Sequence, residues 1–281
     1  MKSITADTSD QAQQRYIANI RAMSPTDRLT AAVDLSQRAL AQALWVIRQR
    51  HPQVDAHEAR LVLLGRLYGQ EAADRVRLWA TPGTESTMQG NLYDALNPVI
   101  DVLERLDVGH YIGGSVASIT YGVPRSTMDV DIALQLTRRD IGAFVASLTA
   151  HYYIDGESVR EAVSNQSSFN LIPLRGAVKL DLFVPERSPF MQSVFERVRY
   201  VPLAPDASRP YCLPSAEDII LLKLRWYALG NRTSSTQRGD VIGVLQTQAE
   251  LLDLAYLRRW AAFLKLSDLL AQMCADAGLA V

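Results

Sequence analysis

The chain has 281 residues, of which 48% are hydrophobic and 21% charged, and its formal net charge is −1. This composition is ordinary for a globular protein of one or two domains, and the near-zero charge excludes a broad basic surface for nucleic acid while leaving a local basic groove open. No run of about 18 apolar residues would span a membrane, and the amino terminus lacks the apolar segment of a signal peptide. We therefore expect a cytoplasmic protein, with its two cysteines reduced.

Residues 1–88 are predicted to form a helical N-terminal region. Its first 23 residues are polar and are expected to be frayed. Ser24-Pro25 is then typical of a helix start, because serine caps the first free N–H groups and proline suits the first helical turn. Further apolar residues at helical spacing predict helices at 24–51, 55–69 and 76–79, before a linker at 81–90. This region is interpreted either as a packed accessory layer or as a surface for a partner.

Residues 89–212 are predicted to form a mixed core, and residues 213–281 a C-terminal helical subdomain. Alternating apolar residues predict strands at 107–112, 129–136, 152–154, 169–172, 178–184 and 198–203. Helices are predicted between and after them, at 91–106, 116–121, 137–151, 190–196, 215–229, 240–252 and 254–264, and from 267 onward. Residues 152–168 are otherwise read as a polar connection. The order of elements favours an α+β fold with a small mixed β-sheet flanked by helices.

Three aspartates lie within two of these strands. Asp129 and Asp131 alternate with Val130 and Ile132, so both carboxylates point to one face of their strand. Asp181 lies in the similar run KLDLFV. Carboxylates held side by side repel each other and resist desolvation, and a divalent cation with a preference for hard oxygen ligands relieves both costs. The pattern predicts a metal-dependent phosphoryl-transfer site.

Other polar residues near these aspartates allow two interpretations each. Gly113-Gly114-Ser115 joins a strand to a helix, where free N–H groups favour a phosphate, although a tight turn with a capping serine would look the same. Arg125 precedes the aspartate pair and could hold phosphate or pin the loop to Asp129. Lys179 shares the face of Asp181 and could contact substrate or balance the carboxylates.

Together, the segment YIGGSVASITYGVPRSTMDVDIAL, the later Asp181 and the helical tail from LLKLRWYALG to LDLAYLRRWA carry a resemblance. They resemble the nucleotidyltransferase-fold superfamily, which is DNA polymerase beta-like, and within it bacterial toxin–antitoxin-type proteins of the AbiEii- and MenT-like group and their uncharacterised relatives. The resemblance covers roughly residues 105–270 and leaves the N-terminal region unmatched. It identifies residues 89–212 as the nucleotidyltransferase core.

The resemblance implies an enzyme that transfers a nucleoside monophosphate from an NTP such as ATP to an acceptor hydroxyl. It implies Mg²⁺, with Mn²⁺ as an alternative, bound by the catalytic residues Asp129, Asp131 and Asp181. The residues that it assigns to nucleotide binding are Gly114, Ser115, Arg125, Thr127 and Lys223. A solvated lysine is the competing interpretation of Lys223, and the segment Arg238-Gly239-Asp240 matches the family only loosely.

Nothing in these residues selects the base of the NTP, or selects among tRNA, a protein side chain and a small molecule as the acceptor. An antitoxin or another protein partner is expected to bind through the N-terminal helices if the chain belongs to a toxin–antitoxin system. The alternative hypothesis is a non-catalytic nucleotide-binding or partner-binding module on the same fold, which the three carboxylates disfavour.

Overall fold

The computed structural model describes residues 9–79, 92–204 and 209–279, so the predicted linker at 81–90 lies outside the described residues. Its helices are α1 (Asp10–Ala22), α2 (Pro25–Arg50), α3 (Ala56–Tyr68), α4 (Gln70–Trp79), α5 (Leu92–Arg105), α6 (Gly114–Tyr121), α7 (Ile141–Leu148), α8 (Gly156–Asn165), α9 (Pro189–Glu196), α10 (Ala216–Leu229), α11 (Ser235–Gln248), α12 (Leu254–Phe263) and α13 (Ser267–Ala277). Its strands are β1 (His110–Ile112), β2 (Asp129–Leu134), β3 (Tyr152–Tyr153), β4 (Ser168–Pro173), β5 (Lys179–Phe183), β6 (Arg199–Val201) and β7 (Tyr211–Leu213). Within these described ranges, no helix is long and apolar enough to cross a membrane.

The chain divides into two compact units. The sheet unit comprises the described residues of Val33–His110 together with Ser126–Glu186. The helical unit comprises the described residues up to Ala32, the segment Tyr111–Arg125 and the described residues from Arg187 onward. The domain limits predicted at 88/89 and 212/213 stay a prediction.

Five strands form a mixed sheet in the order β1-β2-β5-β4-β3. Strands β2 and β5 are parallel, whereas β4 is antiparallel to β5 and β3 to β4. The pairing predicted between residues 169–172 and 178–184 is therefore confirmed. A small mixed sheet with helices before, between and after its strands confirms the predicted α+β class.

One face of β2 and β5 is apolar and forms the core of the sheet unit. Val130, Ile132, Leu180 and Leu182 are all fully buried, because strand alternation places them together on this face. Helix α5 contacts β5 and contributes a buried apolar face of its own. With this face committed to the core, the opposite face of β2 and β5 carries their polar side chains.

The helical unit is organised around α11, which is buried from Asp240 to Thr247. Helix α6 packs against it. A Cβ at Gly122, just after α6, would lie 2.6 Å from the Ser118 carbonyl oxygen and 3.1 Å from the backbone nitrogen of Val244. Glycine thus permits a close approach that any side chain would block. A smaller antiparallel pair, β6 and β7, also belongs to this unit.

Two predictions about local structure were wrong. Residues 1–8 of the segment expected to be frayed lie outside the described residues, and the rest contains α1. Ile17 and Ile20 of α1 are buried, and its Arg21 donates two hydrogen bonds to the Gln246 carbonyl oxygen at 2.9 and 2.7 Å. The polar connection after β3 contains α8, which Asp155 caps and whose buried residues include Val159. Helix α1 has few buried apolar residues and depends on such tertiary contacts, whereas α8 carries Val159 and Ala162 at helical spacing on its buried face.

No disulfide joins Cys212 and Cys274 in the structure, and the reduced state of both thiols stays a prediction.

Candidate active site

The three predicted aspartates lie on one face of neighbouring strands. In the parallel pairing of β2 with β5, Asp131 is directly opposite Asp181 and Asp129 is opposite Lys179. Paired residues of adjacent strands point to the same face, so the three carboxylates and the lysine share it. All four side chains are partly exposed, in contrast to the fully buried residues between them. We call these four residues the carboxylate face.

The lysine of the carboxylate face pairs with one of its aspartates. Lys179 Nζ lies 2.9 Å from Asp181 Oδ1, and the two side chains are 21% and 16% exposed. Burial raises the pKa of Asp181, the hydrogen bond and charge of Lys179 lower it in part, and the charge of Asp129 raises it again, with a net increase. Of the two interpretations of Lys179, the balancing of the carboxylates is therefore seen directly.

Asp181→Asn is expected to stabilise the folded protein slightly at neutral pH. Because burial favours the protonated form of Asp181, its contribution to stability is present below the unfolded pKa of about 3.9 and is lost as the pH rises through the folded pKa. Asparagine removes that loss, and the net rise of the pKa means that burial of the carboxylate outweighs its ion pair with Lys179. Urea unfolding at pH 7 should show the variant slightly more stable than the wild type, and at pH 3.5 the gain should vanish. A variant that is less stable at pH 7 would show that the ion pair outweighs burial.

Residues ahead of β2 hold Asp129 in place. The Thr127 hydroxyl lies 3.0 Å from Asp129 Oδ1 and can donate to it. The backbone N–H of Thr127 in turn donates to Ser36 Oγ of α2 at 2.9 Å. Thr127 is buried, and this hydroxyl contact places it beside Asp129, a candidate metal ligand.

The donor set of the carboxylate face suits Mg²⁺ or Mn²⁺, which prefer carboxylate oxygens. In the parts of the chain that the structure describes, no three His, Cys, Asp or Glu side chains are arranged to hold a metal ion as they stand. The Lys179–Asp181 ion pair explains part of this, because it commits one oxygen of Asp181 to an ammonium group. The chemistry of the residues therefore fits a divalent cation, and their present arrangement pairs Asp181 with Lys179.

Both of the predicted nucleotide-binding cations, Arg125 and Lys223, contact the same carboxylate in the helical unit. Arg125 donates to Asp240 through Nε and Nη2 at 2.7 and 2.8 Å, and Lys223 Nζ donates to the same carboxylate at 2.8 Å. The Ser118 hydroxyl lies 3.1 Å from it. We call Ser118, Arg125, Lys223 and Asp240 the cation cluster. Lys223 is only 6% exposed, so it is not the solvated surface lysine of the competing interpretation.

Asp240 anchors this cluster. Burial raises its pKa, but the hydrogen bonds from Arg125 and the charges of Lys223 and Arg125 outweigh that effect and lower the net pKa. The carboxylate is therefore ionised at neutral pH. Arg238 pairs instead with Asp276 at 2.7 Å, and these two side chains are 44% and 35% exposed. Sequence reasoning noted Asp240 only through a loose match and did not identify its partners.

Gly113-Gly114-Ser115 forms the start of α6. Gly113 takes the cap position without a side-chain hydrogen bond, so the alternative of a capping serine is not what the structure has. Gly114 has φ +49°, a left-handed conformation that glycine adopts without strain. Ser115 lies in the first turn and is 4% exposed. The role of Gly114 and Ser115 in phosphate binding stays a prediction.

Comparisons with known proteins give only distant likenesses. No family model matches the chain, and no curated protein does. A solution structure of the antibiotic-resistance factor ANT(2'')-Ia is similar at 15% identity and a TM-score of 0.36, covering 60% of this chain and 92% of that one. A crystal structure of ANT(2'')-Ia in complex with adenylyl-2''-tobramycin is similar at 13% identity and a TM-score of 0.37, covering 60% of this chain and 94% of that one.

A crystal structure of an antigenic nucleotidyltransferase-like protein from Paracoccidioides brasiliensis is similar at 19% identity and a TM-score of 0.36, covering 60% of this chain and 90% of that one. At this level of likeness the alignments carry no argument about the activity of this chain.

Proposed function

We propose that the protein is a Mg²⁺-dependent nucleotidyltransferase that moves a nucleoside monophosphate from an NTP to an acceptor hydroxyl. The observation that carries the proposal is the register of the two parallel strands, which sets Asp131 directly opposite Asp181 with Asp129 on the same face. Three carboxylates on one partly open face repel each other and gain nothing from the apolar core. Lys179 pairs with one of them, and carboxylate oxygens gathered on one face are ligands that suit a divalent cation which also binds phosphate oxygens.

Asp129, Asp131 and Asp181 are the residues that would hold the metal. When bound, Mg²⁺ supplies positive charge against the triphosphate and the leaving pyrophosphate. The acceptor oxygen bonds to the α-phosphorus, the bond to pyrophosphate breaks, and the acceptor proton passes to Asp181.

The cation cluster supports a role in phosphate binding. Its two cations share the single negative charge of Asp240, so the three charges sum to +1. Asp240 also fixes the direction of both side chains, and a guanidinium held in this way is suited to phosphate oxygens. We include Arg125 and Lys223 as nucleotide-binding residues, and keep Gly114, Ser115 and Thr127 as further candidates.

The acceptor classes remain tRNA, a protein side chain and a small molecule, and the toxin–antitoxin role is part of the proposal rather than its basis. The net charge of −1 gives slight support against a broad RNA surface, because phosphate contacts need clustered Lys and Arg.

A non-catalytic binding module is the second candidate function. The observation that favours it is the Lys179–Asp181 ion pair, since an internal cation on a metal-ligand candidate would suit a fold that no longer binds metal. In that case nucleotide would bind without being turned over.

One assay separates these functions. The wild-type protein is incubated with each of four α-labelled NTPs, Mg²⁺ and either total tRNA or cell lysate, with EDTA as the matched control. Label on RNA, protein or a small molecule only with Mg²⁺ establishes nucleotidyl transfer and identifies both the base and the acceptor class. Binding of labelled NTP without transfer in any mixture would reject the enzyme and favour the binding module.

A further inference from the structure

We propose that Tyr68, in the N-terminal helical region, is a positioning residue of the carboxylate face. The inference rests on the proposed function, because it assigns Tyr68 a role in the metal site proposed there. It would make helix α3 part of that site, rather than only a packed accessory layer or a separable surface for a partner.

The Tyr68 hydroxyl joins the beginnings of the two carboxylate-bearing strands. Its oxygen lies 2.7 Å from the carbonyl oxygen of Met128 and 2.7 Å from that of Ala177, and its single proton is shared between them. Met128 directly precedes Asp129, and Ala177 lies two residues before Lys179. Since β2 and β5 are parallel, both strands begin at the same end of the sheet. One hydroxyl can therefore contact the backbone at the beginning of each.

The ring of the same tyrosine holds the lysine of the carboxylate face. Lys179 Nζ lies 5.5 Å from the centre of the Tyr68 ring, within the range of a cation–π interaction. The same ammonium group is 2.9 Å from Asp181 Oδ1. Tyr68 therefore touches the backbone ahead of Asp129 and the side chain that neutralises Asp181.

Helices α2 and α3 contact this end of the sheet at two other points. Ser36 accepts a hydrogen bond from the backbone of Thr127, whose hydroxyl reaches Asp129. Arg60, which is fully buried, donates to the carbonyl oxygen of Gly176 in the turn before β5 at 2.7 Å and to that of Pro173 at the end of β4 at 2.6 Å. Three side chains of the N-terminal region thus anchor the backbone just ahead of the proposed ligands.

Metal affinity depends on how well the supporting residues fix the ligands, and loss of such a partner typically weakens it about 10- to 100-fold. Tyr68→Phe keeps the ring over Lys179 and removes only the hydroxyl. We expect it to weaken Mn²⁺ binding about tenfold and to lower kcat for transfer more than it raises KM.

The experiment titrates Mn²⁺ into the full-length protein and follows free Mn²⁺ by electron paramagnetic resonance. Tyr152→Phe is the matched control, because the Tyr152 hydroxyl also donates to a backbone carbonyl of the sheet unit, that of Ala95 at 2.5 Å. Tyr152 itself lies on β3, which is separated from β2 by two strands of the sheet. Urea unfolding of both variants shows whether their stability losses match. Ser36→Ala, expected to weaken Mn²⁺ binding about threefold, serves as a second variant should Tyr68→Phe fold poorly.

Weaker Mn²⁺ binding in Tyr68→Phe, with Tyr152→Phe within twofold of the wild type, supports the inference. Equal Mn²⁺ binding in the wild type and Tyr68→Phe, or equal losses in both tyrosine variants, overturns it and leaves the proposed function standing. A wild type that binds no Mn²⁺ overturns both. The expected Mn²⁺ difference without nucleotidyl transfer to any acceptor would keep the inference and overturn the proposed function.

Discussion

Replacing Asp129 and Asp131 together by alanine is expected to lower nucleotidyl transfer at least about 1,000-fold. A bound metal contributes several kcal/mol to the stabilisation of a phosphoryl-transfer transition state, and each 1.4 kcal/mol corresponds to a factor of ten in rate. Removing two of the three proposed ligands should forfeit most of that contribution. The assay is transfer of α-labelled NMP under single-turnover conditions, with the acceptor class found for the wild type.

The same double variant is expected to remain folded. Both aspartates lie on the partly exposed face of β2, so their removal opens no cavity in the core, and it relieves repulsion with Asp181. Its free energy of unfolding should stay within about 1 kcal/mol of the wild type. Asp34→Ala with Glu161→Ala is the matched control, because it removes the same charge from two exposed positions of the sheet unit. Undiminished turnover in the Asp129/Asp131 variant would reject the site, and unfolding would make these aspartates structural.

The carboxylate face could be predicted from the sequence because strand alternation is a local property. Asp129 and Asp131 each lie between apolar residues, and so does Asp181, so their common orientation follows from the period of a strand. Alternation within a strand does not predict which strands pair or in which register. The direct opposition of Asp131 and Asp181, and of Asp129 and Lys179, depends on the register between segments about 50 residues apart in the chain.

The supporting residues could not be predicted for the same reason. Tyr68 ends an ordinary helix and gives no signal that its hydroxyl meets the backbone at Met128 and Ala177. Helix α1 was missed because its buried residues are few, and its anchor is the carbonyl oxygen of the distant Gln246. These features arise from tertiary contacts, and a single sequence records no contact partners.

The sequence after Asp240 does contain a local pattern that indicates a buried charge. Asp240 begins the stretch DVIGVLQ, which is apolar on nearly all sides and predicts a helix buried all round. A charged residue inside such a helix must find a partner or pay a large desolvation cost. Asp240 lies in the interior of α11, and Arg125 and Lys223 are its two cationic partners.

Asp240→Asn is expected to destabilise the protein by about 3 kcal/mol, the lower end of the usual cost of breaking a buried ion pair. The change leaves Lys223, 6% exposed, without its anionic partner. Arg125 is 33% exposed and can be hydrated in part, which places the cost at the lower end. Urea unfolding at pH 7 measures the loss.

Asp276→Asn provides the matched control for this variant, because Asp276 pairs with Arg238 in the same unit with both side chains substantially exposed. It should cost no more than about 1 kcal/mol. Adding Lys223→Met to Asp240→Asn should restore part of the lost stability, since it removes the cation left unpaired. Equal losses for Asp240→Asn and Asp276→Asn would contradict the buried charge network.

The pH dependence gives an independent check on the same cluster. Because the folded pKa of Asp240 is lowered, its stabilisation is fully present above the unfolded pKa of about 3.9 and is lost as the pH falls through the folded value. The difference between wild type and Asp240→Asn should therefore be constant from pH 5 to 7 and shrink below pH 4. A difference that persisted in acid would mean that Asp240 acts through shape and hydrogen bonding rather than through its charge, and would weaken the case for Arg125 and Lys223 as cations held for phosphate.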